Sequence, residues 1–304
     1  MTAVTPGDRI GFIGLGRMGR PMASRLAAAG YSVRAFDVQS DAARAAAEIP
    51  GIEAVVSAAD AGAAADAVIL MLPNSQIVNE VVLGDGLLTA MQTGSVLVDM
   101  SSSDATQTVN LAPLVNERGV RFVDAPVSGG VPGARAGTLT IMAGGAEADI
   151  TACRPVFETL GRAVRHVGAV GAGHAIKALN NLLAATNLLA GVEALIAAER
   201  FGLDSDVVLD VVNQSTGGSW ASEQNLPNFI VPGTFDSGFS LTLLVKDIRM
   251  AVKLARAVGS RAELGEASVS LWEQAAEALP PDADHTEIAR WLAGRAQPDW
   301  RRRA

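Results

Sequence analysis

The sequence contains a single cysteine, Cys153, among its 304 residues. A disulfide framework within the chain is therefore excluded, which favours a reducing compartment such as the cytoplasm. The chain also lacks a leader in which a charged segment precedes a short apolar run, so we expect no secretory signal. Aromatic residues make up only 4% of the chain against 49% for all hydrophobic residues, so alanine, valine, leucine and isoleucine must build its core.

Positive charge is also scarce, because 24 lysines and arginines face 32 aspartates and glutamates, which gives a net charge of −8. An acidic protein is repelled by nucleic acids and by anionic membranes, so neither is expected as a partner. The basic end of the chain, Trp300–Arg303, is predicted to be solvated. Three histidines, at positions 166, 174 and 285, lack the spacing of metal ligands. We therefore predict no metal site, and His174 is expected to be a bystander that touches the cofactor or solvent.

Long hydrophobic runs are nearly absent, and the one candidate covers residues 182–198. It carries Asn187 and Glu193 and is short for a membrane span, which needs about 20 apolar residues. The sequence therefore predicts a buried helix of a soluble protein rather than a transmembrane segment.

The first half of the chain alternates between short apolar runs and alanine-rich helical stretches. The runs are RIGFIGL, YSVRAFD, AVILML, SVLVDMS, VRFVDAPVS, TLTIMAGG and AVRHVG. Strands separated by helices indicate parallel βαβ units in a doubly wound sheet. The nearly continuous apolar character of AVILML is typical of a central strand covered on both faces.

The strand signals stop near Gly168 and helical patterns replace them. One long helix is predicted from Gly173 to about Arg200, and further helices are predicted over residues 205–213, 241–258, 264–278 and 286–294. The segment NLPNFIVPGTFDSGFS, rich in proline and glycine, is predicted to be a loop. The chain thus divides into a doubly wound α/β domain over residues 1–168 and an all-helical domain over residues 169–304, joined by the long helix.

The stretch Gly14-Leu15-Gly16-Arg17-Met18-Gly19 fits the pattern G-x-G-x-x-G after a predicted strand and at the start of a predicted helix. In a dinucleotide-binding turn the first glycine permits a tight turn, the second admits the pyrophosphate and the third lets the helix pack on the strand. The free N–H groups of the helix N-terminus attract the phosphates. This context predicts a Rossmann domain that binds a dinucleotide.

The ends of the predicted strands supply further cofactor ligands. Asp37 ends the second strand, where a carboxylate accepts hydrogen bonds from the adenosine ribose and repels a 2′-phosphate, so NAD is favoured and NADP remains possible. The backbone of Leu72 and Pro73 and the hydroxyl of Ser102 are predicted to line the nicotinamide half, because ligands bind beyond the carboxyl ends of the strands. Helix capping is an alternative role for the serines.

Two later stretches carry the predicted chemistry. In DAPVSGG, the hydroxyl of Ser128 and the backbone N–H groups of Gly129 and Gly130 form a concavity that suits a carboxylate, although an ordinary glycine turn has the same sequence. In GAGHAIKALNN, Lys177 lies early in an apolar helix with Asn181 one turn further on the same face. Desolvation would lower the pKa of such a lysine toward the range of a general acid/base, and Asn181 would hold the substrate hydroxyl.

Six motifs together resemble the β-hydroxyacid dehydrogenase family, in the same order along the chain. They are GFIGLGRMGRPMA, MLPN, DMSS, DAPVSGG, GAGHAIKALNN and KDIRMA. The family includes 3-hydroxyisobutyrate dehydrogenase, tartronate semialdehyde reductase, sulfolactaldehyde reductase and the glyoxylate/succinic semialdehyde reductases. The resemblance runs from Ile10 to about Leu292. It implies an NAD(P)-dependent enzyme that interconverts a short β-hydroxyacid, or a similar anionic alcohol, and its semialdehyde.

The resemblance also implies roles for individual residues. Lys177 matches the catalytic lysine, and Asn181 and the stretch Ser128–Gly130 match substrate-binding positions. The remaining matches are Ser102 beside the nicotinamide, Arg17 and Met18 through their backbone N–H groups, Lys246 toward the cofactor or substrate, Asp247 after it, and Phe239 over the site. Family members form dimers or tetramers, so a homodimer or homotetramer is expected.

Departures from the pattern narrow the assignment. The 6-phosphogluconate enzymes carry K-x-x-H-N where this chain has Lys177-Ala178-Leu179-Asn180-Asn181, which argues against a decarboxylating sugar-phosphate enzyme. Imine reductases replace the lysine that this chain keeps. The stretch STGGSWASE is expected to face the substrate, and its Trp220 either sets specificity or has a plain packing role. The alternative function is a non-catalytic NAD-binding sensor or scaffold, which would be expected to lose the lysine.

Overall fold

The computed structural model describes residues 2–295, so the basic stretch Trp300–Arg303 lies outside the described residues. The chain divides into two compact units, Met1–Lys177 and Ala178–Ala304. This division falls inside the long helix, whereas the sequence-based boundary at residues 168/169 precedes that helix.

The first unit contains nine strands. They are β1 Arg9–Ile13, β2 Ser32–Phe36, β3 Ile52–Ala54, β4 Ala67–Leu70, β5 Val96–Asp99, β6 Arg121–Asp124, β7 Val127–Ser128, β8 Leu139–Gly144 and β9 Gly161–Gly168. Their order in the sheet is β3-β2-β1-β4-β5-β6-β8-β7, with β9 paired to β8. Neighbouring strands from β3 to β6 are parallel, as the βαβ pattern predicts.

The far edge of this sheet departs from the all-parallel prediction. Strand β8 is antiparallel to both β6 and β7, while β9 is parallel to β8. A parallel crossover needs a dozen or more residues, and residues 129–138 between β7 and β8 are too few. The doubly wound fold is therefore confirmed, with an antiparallel addition beside the strand end that carries Ser128.

Helices cover both faces of the sheet. They are α1 Gly19–Ala28, α2 Ser40–Ala47, α3 Ala58–Gly62, α4 Ser75–Asn79, a π-helical turn Glu80–Gly84, α5 Leu87–Ala90, α6 Ala105–Asn116, α7 Gly130–Ala136 and α8 Glu147–Leu160. Every residue of β4 and β5 is buried. Alternate residues join opposite cores: Ile69 packs in one and Val68 in the other, so the central strand is covered on both faces as predicted.

The lone thiol is part of this interior. Cys153 lies in α8, the predicted helix, and is fully buried. Burial raises the pKa of its thiol to about 12. A free thiol in this state is inert at neutral pH and packs as a small apolar side chain.

The second unit is helical, as predicted. After α9 Ala172–Phe201, which begins in the first unit, it contains α10 Ser205–Asn213, a π-helical segment Ala221–Ile230, α11 Leu241–Ala257, α12 Glu263–Ala278, a 3₁₀ turn His285–Glu287 and α13 Ile288–Arg295. Trp272, Ile248 and Ile288 lie at the centre of its core, each fully buried.

One loop prediction is wrong. The first part of NLPNFIVPGTFDSGFS belongs to the π-helical segment Ala221–Ile230, which contains Pro227. Leu226 and Ile230 lie one turn apart on its buried face, so burial in the core outweighs the local proline and glycine signals.

Helix α9 is long and apolar enough to cross a membrane by length and composition, and it alone meets both criteria within residues 2–295. Only 39% of its most apolar 18-residue window is buried, so burial is less complete than the sequence predicts. Leu183, at 63% exposure, is the most exposed large apolar residue of an outward-facing stripe on this helix that also includes Ile176 and Leu179.

Candidate active site

The glycine turn between β1 and α1 has the geometry that the sequence predicts. A Cβ on Gly14, whose φ is +96°, would lie 2.9 Å from the Met71 carbonyl carbon, and a Cβ on Gly19 would lie 2.9 Å from that of Gly14. Gly16 differs, because a Cβ there would meet no protein atom within 4 Å. Gly14 therefore lets the turn approach the backbone that follows β4, Gly19 lets the start of α1 pack closely on the turn and β1, and Gly16 leaves open backbone surface at the helix N-terminus. A pyrophosphate fits this surface.

Asp37 is fixed beside that turn. Its Oδ2 accepts a hydrogen bond from the Leu15 backbone N–H at 2.7 Å, and its Oδ1 accepts one from the Gln39 N–H at 2.8 Å. The half-buried carboxylate thus braces the turn, a structural role that the sequence did not indicate, and keeps lone pairs for a ribose hydroxyl. A fixed negative charge at this position is unfavourable for a 2′-phosphate.

A cavity of about 430 Å³ adjoins the same turn. Gly16 lines it together with the exposed residues Arg17, Arg20 and Arg135. Positive charge next to the open glycine suits the negative charge of a dinucleotide. Neither Arg20 nor Arg135 was predicted, and Arg135 approaches the turn because α7 packs against α1.

The loops after β4 and β5 are tied together by a serine that was not predicted. The Leu72 backbone N–H donates to Ser101 Oγ at 2.9 Å, while Asp99 accepts from the Ser101 N–H and from Ser103 Oγ at 2.9 and 2.8 Å. Ser102 lies between these two buried serines and is itself half-buried. The capping alternative for the serines is wrong, because Asp104 caps α6.

The stretch after β6 bends sharply toward solvent at its glycines. Ser128 is half-buried at the end of β7, and Gly129 and Gly130 are exposed with φ of +130° and +59°. Only glycine adopts such values readily. Exposed N–H groups in this conformation can bind an anion, as predicted for the substrate carboxylate.

Lys177 lies half-buried in the second turn of α9, and the start of this helix is firmly anchored. Asp124, at the end of β6, accepts hydrogen bonds from the backbone N–H groups of Gly171 and His174 at 2.7 and 2.8 Å. Burial raises the pKa of the Asp124 carboxyl, while His174 and these two N–H groups act in the opposite direction. The His174 ring is 1% exposed, so the predicted contact with solvent is wrong.

In the second unit, three predicted residues form one polar group. Asn181 Nδ2 donates to Asp247 Oδ2 at 2.7 Å, and Lys246 Nζ lies 3.1 Å from Asp247 Oδ1. Asn181 and Asp247 are buried, so this ion pair and amide are held in a defined geometry.

The other two predicted residues of the second unit have different surroundings. Phe239 packs edge-on against the His285 ring, with 5.6 Å between ring centroids. Trp220 is 70% exposed, so its side chain is not part of the core.

The predicted residues of the first unit therefore fall at neighbouring carboxyl ends of parallel strands. The glycine turn follows β1, Asp37 follows β2, Leu72 and Pro73 follow β4, and Ser102 follows β5. Such an edge binds ligands in doubly wound sheets. An open phosphate turn, an anion-binding glycine pair and an amine on one unit suit hydride transfer to or from an anionic alcohol.

Comparison with known families agrees with this geometry. Residues 9–168 match the family model described as the NAD binding domain of 6-phosphogluconate dehydrogenase. Residues 171–292 match the one described as the NAD-binding domain of NADP-dependent 3-hydroxyisobutyrate dehydrogenase. The two matches together span nearly all of the described chain.

Individual relatives point the same way. The chain is 41% identical to 2-(hydroxymethyl)glutarate dehydrogenase of Eubacterium barkeri over 249 residues, which is 82% of each chain. It is 38% identical to NAD-dependent L-serine dehydrogenase of Pseudomonas aeruginosa, over 87% of this chain and 91% of the relative. The structure of Mycobacterium tuberculosis 3-hydroxyisobutyrate dehydrogenase with L-serine matches with a TM-score of 0.89 and 36% identity, over 94% and 99% of the two chains. The chain therefore belongs to the β-hydroxyacid dehydrogenase family, the nicotinamide-dependent oxidoreductases that act on the hydroxyl group of hydroxyacids.

Proposed function

We propose that this enzyme oxidises the terminal hydroxyl of a short β-hydroxyacid to a semialdehyde, reversibly, with Lys177 as the general acid/base. The observation that carries the proposal is the placement of a half-buried lysine one turn beyond the residues that clamp α9 to the ends of β5 and β6. This lysine lies on the same unit as the open Gly16 turn and the Ser128–Gly130 bend.

The chemistry of the relatives narrows the substrate class. 3-Hydroxyisobutyrate, L-serine and 2-(hydroxymethyl)glutarate share a CH₂OH group on the carbon that bears the carboxylate, and they differ only in the third substituent. In our proposal a substrate of the form HOCH₂–CH(R)–COO⁻ binds with its carboxylate at the Ser128–Gly130 bend and its hydroxyl toward the Lys177 amine. The group R is what differs among the substrates for which the three relatives are named.

Each residue then has a separate task. Neutral Lys177 accepts the hydroxyl proton during oxidation, and protonated Lys177 donates it to the aldehyde oxygen during reduction. The Ser128 hydroxyl and the N–H groups of Gly129 and Gly130 bind the carboxylate, while Asn181 orients the reacting oxygen. The nicotinamide, when bound, supplies the hydride acceptor or donor at C4. Asp37 and the open Gly16 turn hold the cofactor and favour NAD over NADP.

Replacement of Lys177 tests the proposal, with Lys253 as a matched control because it is an exposed lysine outside the predicted site. Lys177→Ala should lower kcat by about 10²–10⁴-fold, the usual contribution of a general acid/base, and leave the Kd for NADH nearly unchanged. Lys253→Ala should leave both unchanged. Wild-type turnover in Lys177→Ala would contradict the assignment.

A substrate panel with both cofactors identifies R. It contains 3-hydroxyisobutyrate, serine, 2-(hydroxymethyl)glutarate, threonate, tartronate semialdehyde, succinic semialdehyde and sulfolactaldehyde. We expect the highest kcat/KM with a member of the HOCH₂–CH(R)–COO⁻ class and NAD. Cofactor binding without turnover of any compound would favour the sensor alternative, which the dehydrogenase names of the relatives do not support.

We also propose a soluble cytoplasmic enzyme that assembles as a homodimer or homotetramer. The single buried cysteine and the net charge of −8 support the compartment. The exposed apolar stripe on α9 supports assembly, because a large apolar surface of this kind is a common site of subunit contact.

A further inference from the structure

The imidazole ring of His174 is a buried polar group that the proposed reaction does not use. It is 1% exposed and lies in the first turn of α9, three residues before Lys177. Ring Nε2 lies 3.1 Å from the Ser101 carbonyl oxygen, after β5, and ring Nδ1 lies 2.8 Å from Thr108 Oγ1 on α6. One side chain thus connects the helix that carries the lysine to two other elements of the first unit.

These partners require a hydrogen on Nε2 and are compatible with Nδ1 either with or without one. A carbonyl oxygen only accepts hydrogen bonds, so Nε2 carries a hydrogen. The Thr108 hydroxyl lies 2.8 Å from Nδ1 and also 3.1 Å from the Asp104 carbonyl oxygen. It can donate to Nδ1 of a neutral ring, or donate to the Asp104 carbonyl and accept from Nδ1–H of a charged ring. Rotation of one hydroxyl therefore satisfies both charge states without movement of any heavy atom.

Two buried carboxylates approach the ring. Asp99 Oδ2 lies 3.7 Å from Nε2, and Asp124 Oδ2 lies 3.7 Å from Nδ1. Asp124 also accepts a hydrogen bond from the backbone N–H of His174, and Asp99 accepts one from the Ser101 N–H. The ring, the two carboxylates and the loop after β5 thus form one buried network.

We propose that His174 is a positioning residue for Lys177, which it serves through its contacts with Ser101, Thr108 and Asp124. The proposal rests on the proposed catalytic role of Lys177. The ring and the Asp124 carboxylate hold the first turn of α9 against the strand ends, which sets the position of the amine one turn later.

The proposal predicts a loss of rate that is separate from cofactor binding. A displacement of about 1 Å in an active site costs up to about 100-fold in kcat. The Gly16 turn follows β1 and belongs to a different loop, so the Kd for NADH should be retained. A side chain that restores an N–H to the Ser101 carbonyl should recover part of the rate, whereas general loss of the fold would lower cofactor affinity as well.

His174→Ala and His174→Gln are the test, since alanine removes every ring contact and glutamine keeps an N–H for the Ser101 carbonyl. The matched control is His166→Gln, because the His166 ring nitrogen also contacts carbonyl oxygens, those of Gly145 and Gly168, but lies on β9. We expect His174→Ala to lower kcat by about 10–100-fold and to leave the Kd for NADH within twofold. His174→Gln should have a kcat between those of His174→Ala and the wild type, and His166→Gln should retain the wild-type kcat.

An unchanged kcat in a folded His174→Ala variant, or a kcat in His174→Gln no higher than in His174→Ala, would overturn the proposal. Lys177→Ala is measured in parallel, so wild-type turnover there would instead refute the catalytic role of Lys177. If the His174 variants do not fold, the ring nitrogens are observed directly by ¹⁵N NMR of the wild-type enzyme. We expect Nε2 to be protonated throughout the active pH range, and a ring without hydrogen on Nε2 would overturn the proposal.

Discussion

Gly16 and Gly19 belong to the same turn, but substitution by alanine should affect them in opposite ways. At Gly16 a new Cβ meets no protein atom within 4 Å, and the φ angle is not in the left-handed region. At Gly19 it would lie 2.9 Å from the Gly14 carbonyl carbon and 3.2 Å from Phe12 Cε1, and closer still to the Gly14 oxygen. The methyl group of Gly16→Ala therefore occupies the space proposed for the pyrophosphate, whereas the methyl group of Gly19→Ala overlaps with Gly14.

The expected magnitudes follow from these surroundings. Glycine-to-alanine replacement at a compatible position stabilises by about 0.4–1 kcal/mol through the unfolded chain, so Gly16→Ala should unfold at the wild-type temperature or slightly above it. Overpacking costs about 1–3 kcal/mol or more, so Gly19→Ala should lower Tm by several degrees. A methyl group that excludes the pyrophosphate from the Gly16 backbone removes charge-assisted hydrogen bonds of about 1.5–3 kcal/mol, which is about a 10–100-fold increase in Kd.

Two measurements on each variant separate the outcomes. Thermal unfolding without cofactor reports stability, and quenching of tryptophan fluorescence by NADH reports affinity. We expect Gly16→Ala to retain Tm and lose affinity, while Gly19→Ala loses Tm. Wild-type affinity in a folded Gly16→Ala variant would refute the placement of the pyrophosphate on this turn.

Two further predictions concern the second unit. Burial raises the pKa of Asp284, but hydrogen bonds from His285, Thr286 and Ser237 outweigh burial and hold this pKa well below its usual value. The carboxyl of the unfolded chain titrates near pH 3.9. The resulting stabilisation is therefore present above about pH 4 and is lost as the pH falls toward the lower pKa of the folded state. Urea unfolding between about pH 3 and 6 should therefore show a weaker acid dependence in Asp284→Asn, and identical slopes would contradict the reasoning. Leu183→Glu should change the stability of a single chain by no more than about 0.5 kcal/mol, because the Leu183 side chain is 63% exposed. If a second copy covers the stripe on α9, the same variant should have a lower mass by light scattering. An unchanged oligomer would exclude that stripe as the contact.

Much of the fold could be predicted because local signals and burial agree. The βαβ alternation, the G-x-G-x-x-G turn and the long helix each have a pattern that only one kind of element satisfies. The predictions were wrong or incomplete where local sequence signals and burial disagree, or where an element is too short to show a pattern. The π-helical segment Ala221–Ile230 contains Pro227, which locally indicates a loop, and the three-residue strand β3 is too short to show a period.

The candidate site was predictable for a different reason. Parallel strands present all their carboxyl ends at one edge, so a residue that follows a strand is placed near the other strand ends without knowledge of side-chain packing. That rule places Asp37, Leu72, Ser102 and Ser128. It does not show whether a given side chain faces a ligand or braces a loop, and Asp37 accepts backbone hydrogen bonds from Leu15 and Gln39.

The buried network around His174 marks the limit of such reasoning. Asp99 and Asp124 end adjacent strands, and the sequence shows both as carboxylates at strand ends. Nothing in the sequence indicates that both approach His174, which is 50 residues from Asp124 and further from Asp99. An isolated histidine without ligand spacing is usually a bystander, which is why the sequence favoured that interpretation. The structure buries this ring at 1% exposure in contact with Ser101 and Thr108, so its polar atoms are satisfied by neighbours distant in the sequence. The attachment of α9 to the strand ends therefore depends on contacts that only the folded structure reveals.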